Sequence, residues 1–131
     1  MNAKNFLKNF IIFSGWLEIA FGILFLFMDF IFHSLSIPSS PFFPMASGVM
    51  MMILGFLLWF SARDIKRYLI IPVMSCVFRF IMVFGPTLLS IFLIPILSPV
   101  WICAIIYDFL SALFTLVLLK NVGYLTKDNL L

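Results

Sequence analysis

Residues 43 to 62, FPMASGVMMMILGFLLWFSA, run for 20 positions without one charged side chain. A helix of about 20 apolar residues matches a bilayer core about 30 Å thick. Such a stretch constrains the chain more than any motif it contains, because it specifies lipid as the solvent. The composition extends that constraint to the whole molecule. The chain has 131 residues, of which 65% are hydrophobic and 10% charged. Soluble domains are about half apolar and a quarter charged, and a domain this small cannot hide so much apolar surface from water.

Four spans follow, at about residues 10–32, 43–62, 68–95 and 100–119. Lys4 and Lys8 precede the first, as they would a signal peptide. Its apolar stretch is longer than a signal's core, however, and no small-x-small cleavage site follows MDFIFHSLS. We read it as a retained helix. The expected fold is therefore all-α, a four-helix transmembrane bundle in one domain covering residues 1–131.

The basic residues orient it. Lys4 and Lys8 lie before span one, Arg63, Lys66 and Arg67 between spans two and three, and Lys120 and Lys127 after span four. With four spans all seven fall on one side. The positive-inside rule makes that side cytoplasmic, with both termini there, and the bias argues against insertion in both directions. Trp59 and Tyr68 suit the inner interface and Trp101 the outer. The net charge of +3 therefore reports topology, and no basic stripe interleaved with aromatics marks a nucleic-acid surface. The outer segment SIPSSPFFP, residues 36 to 44, has a turn composition. The second outer connection, IPILSPV, is short enough to make spans three and four antiparallel neighbours. Gly85-Pro86 predicts a kink in span three, since proline removes a backbone donor.

Inside the spans stand three ionisable residues. At 1.5 Å per residue, Glu18 lies about 14 Å, Arg79 about 16 Å and Asp108 about 18 Å from the cytoplasmic face. Each costs about 2.5–3.5 kcal/mol alone at a helix centre. At one level they can offset one another, and the planar fork of Arg79 can serve two carboxylates. Two acids and one base leave a surplus of −1. Arginine keeps its proton, so one acid is protonated or a further cation completes the site; the two acids titrate as a coupled pair. The helical faces agree. Ser75, Arg79, Pro86 and Ser90 share a stripe on span three. Gly15, Glu18, Gly22 and Asp29 share one on span one. Gly48, Met51, Gly55 and Trp59 do so on span two, and Ala104, Asp108, Ser111 and Thr115 on span four. Small and polar residues mark helix contacts in lipid, so Gly15, Gly22, Gly48, Gly55, Ser75 and Ser111 form the expected packing seam. Tyr107 points about 100° away from Asp108 and is expected to serve packing or another helix.

Two roles fit the cluster of Glu18, Arg79 and Asp108. One is an ionic lock that fixes helix register. The other is a midplane site for a proton, an ion or the polar head of a lipid-like ligand. Asp29 and His33 fall near the outer interface, where wetting makes both cheap. Cys76 and Cys103, at about 12 and 25 Å depth, are too far apart to bridge. The run Met50-Met51-Met52 cannot converge on one ion, since successive side chains diverge by about 100°. One histidine without ligand spacing gives no metal site. Neither a phosphate-binding loop nor a GxSxG elbow appears, and no cofactor is implied. RDIKR, residues 63 to 67, serves as a topology anchor, or binds anionic lipid heads or a cytoplasmic partner.

Arg63-Asp64 with Arg67 after span two, Arg79 in span three and Asp108 in span four resemble the pattern of small bacterial four-helix membrane proteins of the DoxX-like kind. The resemblance covers most of the chain and implies a four-helix integral protein of the bacterial cytoplasmic membrane, with no particular activity. Glu18 in GWLEIAFG also suggests small multidrug transporters, but Arg79 and the one-sided basic charge do not fit them. The expected function is a non-enzymatic subunit or interaction partner in a larger membrane assembly, alone or as a homo-oligomer surrounded by lipid. The alternative is a proton-linked carrier or receptor for a small hydrophobic ligand.

Overall fold

The computed structural model of the protein describes residues 2–38 and 42–126, the Phe43 side chain aside. Residues 39–41, between spans one and two, and Lys127 lie outside the described residues. The chain is all-helical, with 83% of residues in helix and no strand among those described. In chain order the elements are α1 (Ala3–Leu26), α2 (Met28–Ser34), α3 (Phe42–Ser61), α4 (Ile70–Met82), a π-helical turn (Val83–Thr87), α5 (Leu88–Leu93), a 3-10 turn (Pro95–Leu97) and α6 (Ser98–Asn121). Among the described residues four stretches are long and apolar enough to cross a membrane: Ala3–Leu26, Pro44–Ser61, Ile70–Leu93 and Pro95–Asn121.

Prolines decide where these helices begin. Pro44, Pro72 and Pro99 each fall in the first turn of α3, α4 and α6. A first-turn residue has no intrahelical partner for its N–H, so proline costs nothing there. Pro86 is the exception, because it sits inside span three. There the missing donor coincides with the π turn Val83–Thr87, and Ser90 Oγ donates to the Pro86 carbonyl at 2.8 Å. That hydroxyl bonds back to its own helix, to the carbonyl four residues earlier. Pro86→Ala should restore a donor, close the wide turn toward α-helix and add one hydrogen bond of about 1 kcal/mol, a roughly fivefold slower amide exchange across residues 83–87. Hydrogen exchange in micelles checks this, and unchanged rates would show that proline is not what widens the turn.

Two helix ends share one closing device. After α6, Tyr124 N–H donates to Leu119 O at 3.0 Å and Gly123 N–H to Lys120 O at 2.9 Å. After α2, Ile37 N–H donates to Phe32 O at 2.9 Å and Ser36 N–H to His33 O at 3.0 Å. This crossed pair satisfies the last carbonyls and needs a left-handed residue. Gly123, at φ 77°, supplies it at no steric cost, while Ser36 adopts φ 56° with a side chain.

The first span differs from its expected form. Its helix begins at Ala3, ahead of Phe10, and is interrupted at Phe27 before resuming as α2. Hydrogen-bond propagation carries α1 past Lys4 and Lys8, which stay exposed while Leu7 is fully buried. The break at Phe27 has neither proline nor glycine to announce it.

The chain divides into two compact units. One spans Lys8–Arg63. In it α1 meets α3 through two glycine pairs. A methyl added at Gly15 would lie 2.8 Å from Gly55 O, and one added at Gly22 would lie 2.7 Å from Gly48 O. Gly15 faces Gly55 and Gly22 faces Gly48, so the helices run antiparallel with both pairs spaced by seven residues. Two α-turns span about seven residues, so one face of each helix carries both contacts. Glycine is required here for close approach of backbones.

The other unit holds the residues up to Leu7 and those from Asp64 onward. Its centre is α4 packed on α6. The contact face of α4 is Pro72, Ser75, Cys76 and Arg79, all buried, continued by Val83 and Thr87. That of α6 is Ser111, Ala112, Thr115 and Leu119. Beside this face Phe109 takes Phe80 and Phe84 edge-on, with ring centroids 5.8 and 6.4 Å away. Phe6 meets Phe114 in the same geometry at 6.0 Å. Each such pair adds about 0.5–1.5 kcal/mol beyond its buried area.

Candidate functional site

Span three lays Ser75, Cys76 and Arg79 along one face, at helical spacings of three and four. The face turns toward α6, so the guanidinium enters a layer of side chains from that helix. Arg79 is only 4% exposed. Its Nη1 donates to Ser111 Oγ and lies 4.0 Å from Asp108 Oδ1. Its Cζ sits 5.3 Å from the centre of the Tyr107 ring. Three residues of one helix thus meet one guanidinium as a hydroxyl, a carboxylate and an aromatic ring. The planar cation suits all three, since it donates in its plane and stacks on rings.

The α6 backbone arms the layer. Ser111 Oγ donates to the Asp108 carbonyl at 3.2 Å, and Thr115 Oγ1 donates to the Ser111 carbonyl at 2.7 Å. Both hydroxyls bond back to their own helix, a pattern that meets polar groups within apolar surroundings. One turn before Arg79, Cys76 Sγ meets the Ala112 carbonyl at 3.6 Å. Cys76 is buried and Cys103 exposed, and both are free thiols.

Asp108 differs from its neighbours. Its side chain is 23% exposed against 5% for that of Arg79. The 4.0 Å approach to Arg79 is the only polar contact recorded for its carboxylate among the described residues. Asp108 is also the middle residue of the span Pro95–Asn121.

Of the predicted site residues, Arg79, Asp108 and Ser111 come together within one unit, and Ser75 lies buried on the same face of α4. Glu18 belongs to the other unit, on α1, and is 4% exposed. It falls about 60° around α1 from Gly15. Gly15, Gly22, Gly48 and Gly55 make the α1–α3 contact. Tyr107, expected to serve packing or another helix, meets the arginine of α4. A 100° offset on the wheel is small for a side chain as long as arginine, and an aromatic residue next to Asp108 opposite Arg79 was the available signal. In the methionine run, Met50 is exposed, while Met52 packs at Gly22, where a methyl would lie 2.6 Å from its Cγ.

The basic segment after α3 is built from short-range contacts. Arg63 Cζ lies 5.3 Å from the Trp59 ring centre and 5.5 Å from that of Phe60. Further on, Asp64 Oδ1 accepts the Arg67 N–H at 3.2 Å and Asp64 O the Tyr68 N–H at 3.1 Å. Arg67 Cζ lies 5.5 Å from the Tyr68 ring centre. Arg63, Lys66 and Arg67 are exposed, whereas Ile65 and Leu69 are buried. Cations over aromatic rings at a helix end suit a membrane interface, where one side of each group is apolar and the other wet.

Fold and site together define a helical protein with four stretches able to cross a membrane and an arginine held in the interior of one helix pair. Comparison with family models, with curated proteins and with solved structures found no match.

Proposed function

We propose that the protein is a non-enzymatic integral membrane subunit that works by binding other membrane proteins, and that Arg79 is its internal lock. The reading includes the topology expected from the basic residues, with both termini in the bacterial cytoplasm. One observation carries the lock: a buried guanidinium that meets a hydroxyl, a carboxylate and a ring of α6. A ligand-binding arginine would keep donors open toward a cavity. Arg79 is instead buried with its Nη1 donating to Ser111 of the neighbouring helix, which fixes the register of α4 against α6. The depth reckoning from the sequence adds Glu18 at the same level.

Native mass spectrometry of protein gently extracted from its own membrane tests the reading. A stoichiometric partner protein or a fixed assembly is expected. A monomer or dimer carrying a stoichiometric small molecule would replace the subunit reading with the second one, a carrier or receptor for a small ligand. That second reading draws on the partial exposure of Asp108. An acid at mid-span that is open on one side is the form a proton or ligand site takes.

A further inference from the structure

Asp108 is the one feature of the site that a purely internal lock does not explain. Arg79 is 4% exposed and has Ser111, Tyr107 and Asp108 around it. Ser111 and Thr115 are bonded within α6. The Asp108 carboxylate has Arg79 at the 4.0 Å limit of an ion pair and 23% of its side chain open. The two mid-depth acids and single mid-depth base of the sequence leave one negative charge over. Glu18 is 4% exposed, so of the two acids Asp108 is the one that a cation from another chain can reach.

The surface around Asp108 has the form of a helix contact. Ala104, one turn toward the outer side, and Ile105 are half-buried, as Asp108 itself is. A small residue one turn from a polar one lets a neighbouring backbone approach. Trp101, seven residues earlier on the same edge, carries a buried indole N–H with no acceptor among the described residues.

We infer that this edge of α6 receives a transmembrane helix of another protein, and that the helix brings a lysine or arginine to the depth of Asp108. Charge complementarity selects that partner. A second copy of the chain cannot supply the cation. Its one mid-span base, Arg79, is buried against its own α6, and its seven other basic residues lie outside the expected spans. The inference rests on the subunit reading and specifies which chemistry that subunit recognises.

The full-length protein, reconstituted in phosphatidylcholine vesicles and labelled for energy transfer, tests it against a leucine-rich transmembrane peptide with one central lysine. Matched peptides with leucine or asparagine at the centre are the controls. The lysine peptide should associate about tenfold more tightly than either control. Asp108→Asn should abolish that preference and Asp108→Glu restore it, with helix content checked by circular dichroism. Equal association of the lysine and leucine peptides overturns the inference, as does a preference that survives Asp108→Asn. An asparagine peptide that binds as well as lysine also overturns it, since hydrogen bonding rather than charge would then select the partner. Native mass spectrometry of Asp108→Asn separates the two readings. A partner retained there leaves the subunit reading standing and removes Asp108 as its contact. No partner on the wild-type protein removes the subunit reading, while the peptide preference judges Asp108 on its own.

Discussion

Gly48→Ala is expected to destabilise the protein by about 1–3 kcal/mol, a large loss for a single methyl group. The methyl would lie 2.6 Å from Gly22 O and 3.2 Å from Leu26 N. Both are backbone atoms of α1, so no side chain can swing aside, and the helices must part. In lipid their association rests on close packing, because the tails are as apolar as leucine. Separation by a fraction of an ångström already forfeits much of that contact. Gly22→Ala and Gly55→Ala should behave alike, with methyls 2.7 Å from Gly48 O and 2.6 Å from Gly15 O. Gly85→Ala is the control, since a methyl there meets nothing within 4 Å, and it should be neutral or slightly stabilising by helix propensity. Unfolding in mixed micelles, followed by circular dichroism along a detergent titration, measures all four. A loss at Gly48 no greater than at Gly85 would mean that the glycine pairs do not hold α1 to α3.

Arg79→Met should cost more, about 3–5 kcal/mol, the usual loss when one partner of a buried pair is removed. Asp108 would lose the cation beside it, and Ser111 Oγ would lose its donor. Arg79→Lys keeps the charge but loses the planar fit over Tyr107 and the second donor arm, so its loss should be smaller and still measurable. The combined replacement Arg79→Met with Glu18→Leu and Asp108→Leu should recover most of the stability, because an apolar layer of similar volume is often as stable as an ionic one. The same titration serves. If the single and triple variants unfold together, Arg79 is not coupled to its α6 neighbours, and the lock is not one.

The regions of the chain differ in how openly the sequence displays them. Span two was readable almost to the residue, 43–62 against a helix of 42–61, because lipid solvation demands a long apolar run and proline marks its start. Arg79 and Asp108 were readable as partners because a mid-span charge without one is too costly, and Ser111 because it shares their stripe. The contribution of Tyr107 was not. A helical wheel fixes the direction of Cα–Cβ and says little of where a side chain as long as arginine ends. A disturbance at Gly85-Pro86 was legible from the proline, but not that the lost donor would give a π turn there rather than a bend. The interruption at Phe27 carried no local signal, since an apolar run looks the same with or without a broken ladder.

The π turn also makes the chain tolerant of a length error. A π turn holds one residue more than the α-helical turn it replaces. If one residue were lost between Val83 and Thr87, the turn would tighten to α-helix instead of rotating α5 by about 100°. The half of the span before the turn, which presents Ser75, Cys76 and Arg79 to α6, would keep its facing. The same loss between Ile70 and Arg79 would turn the arginine out of its layer. Span three therefore has a protected register before the turn and a spare residue within it, so variation in its length is absorbed where no charge depends on the facing.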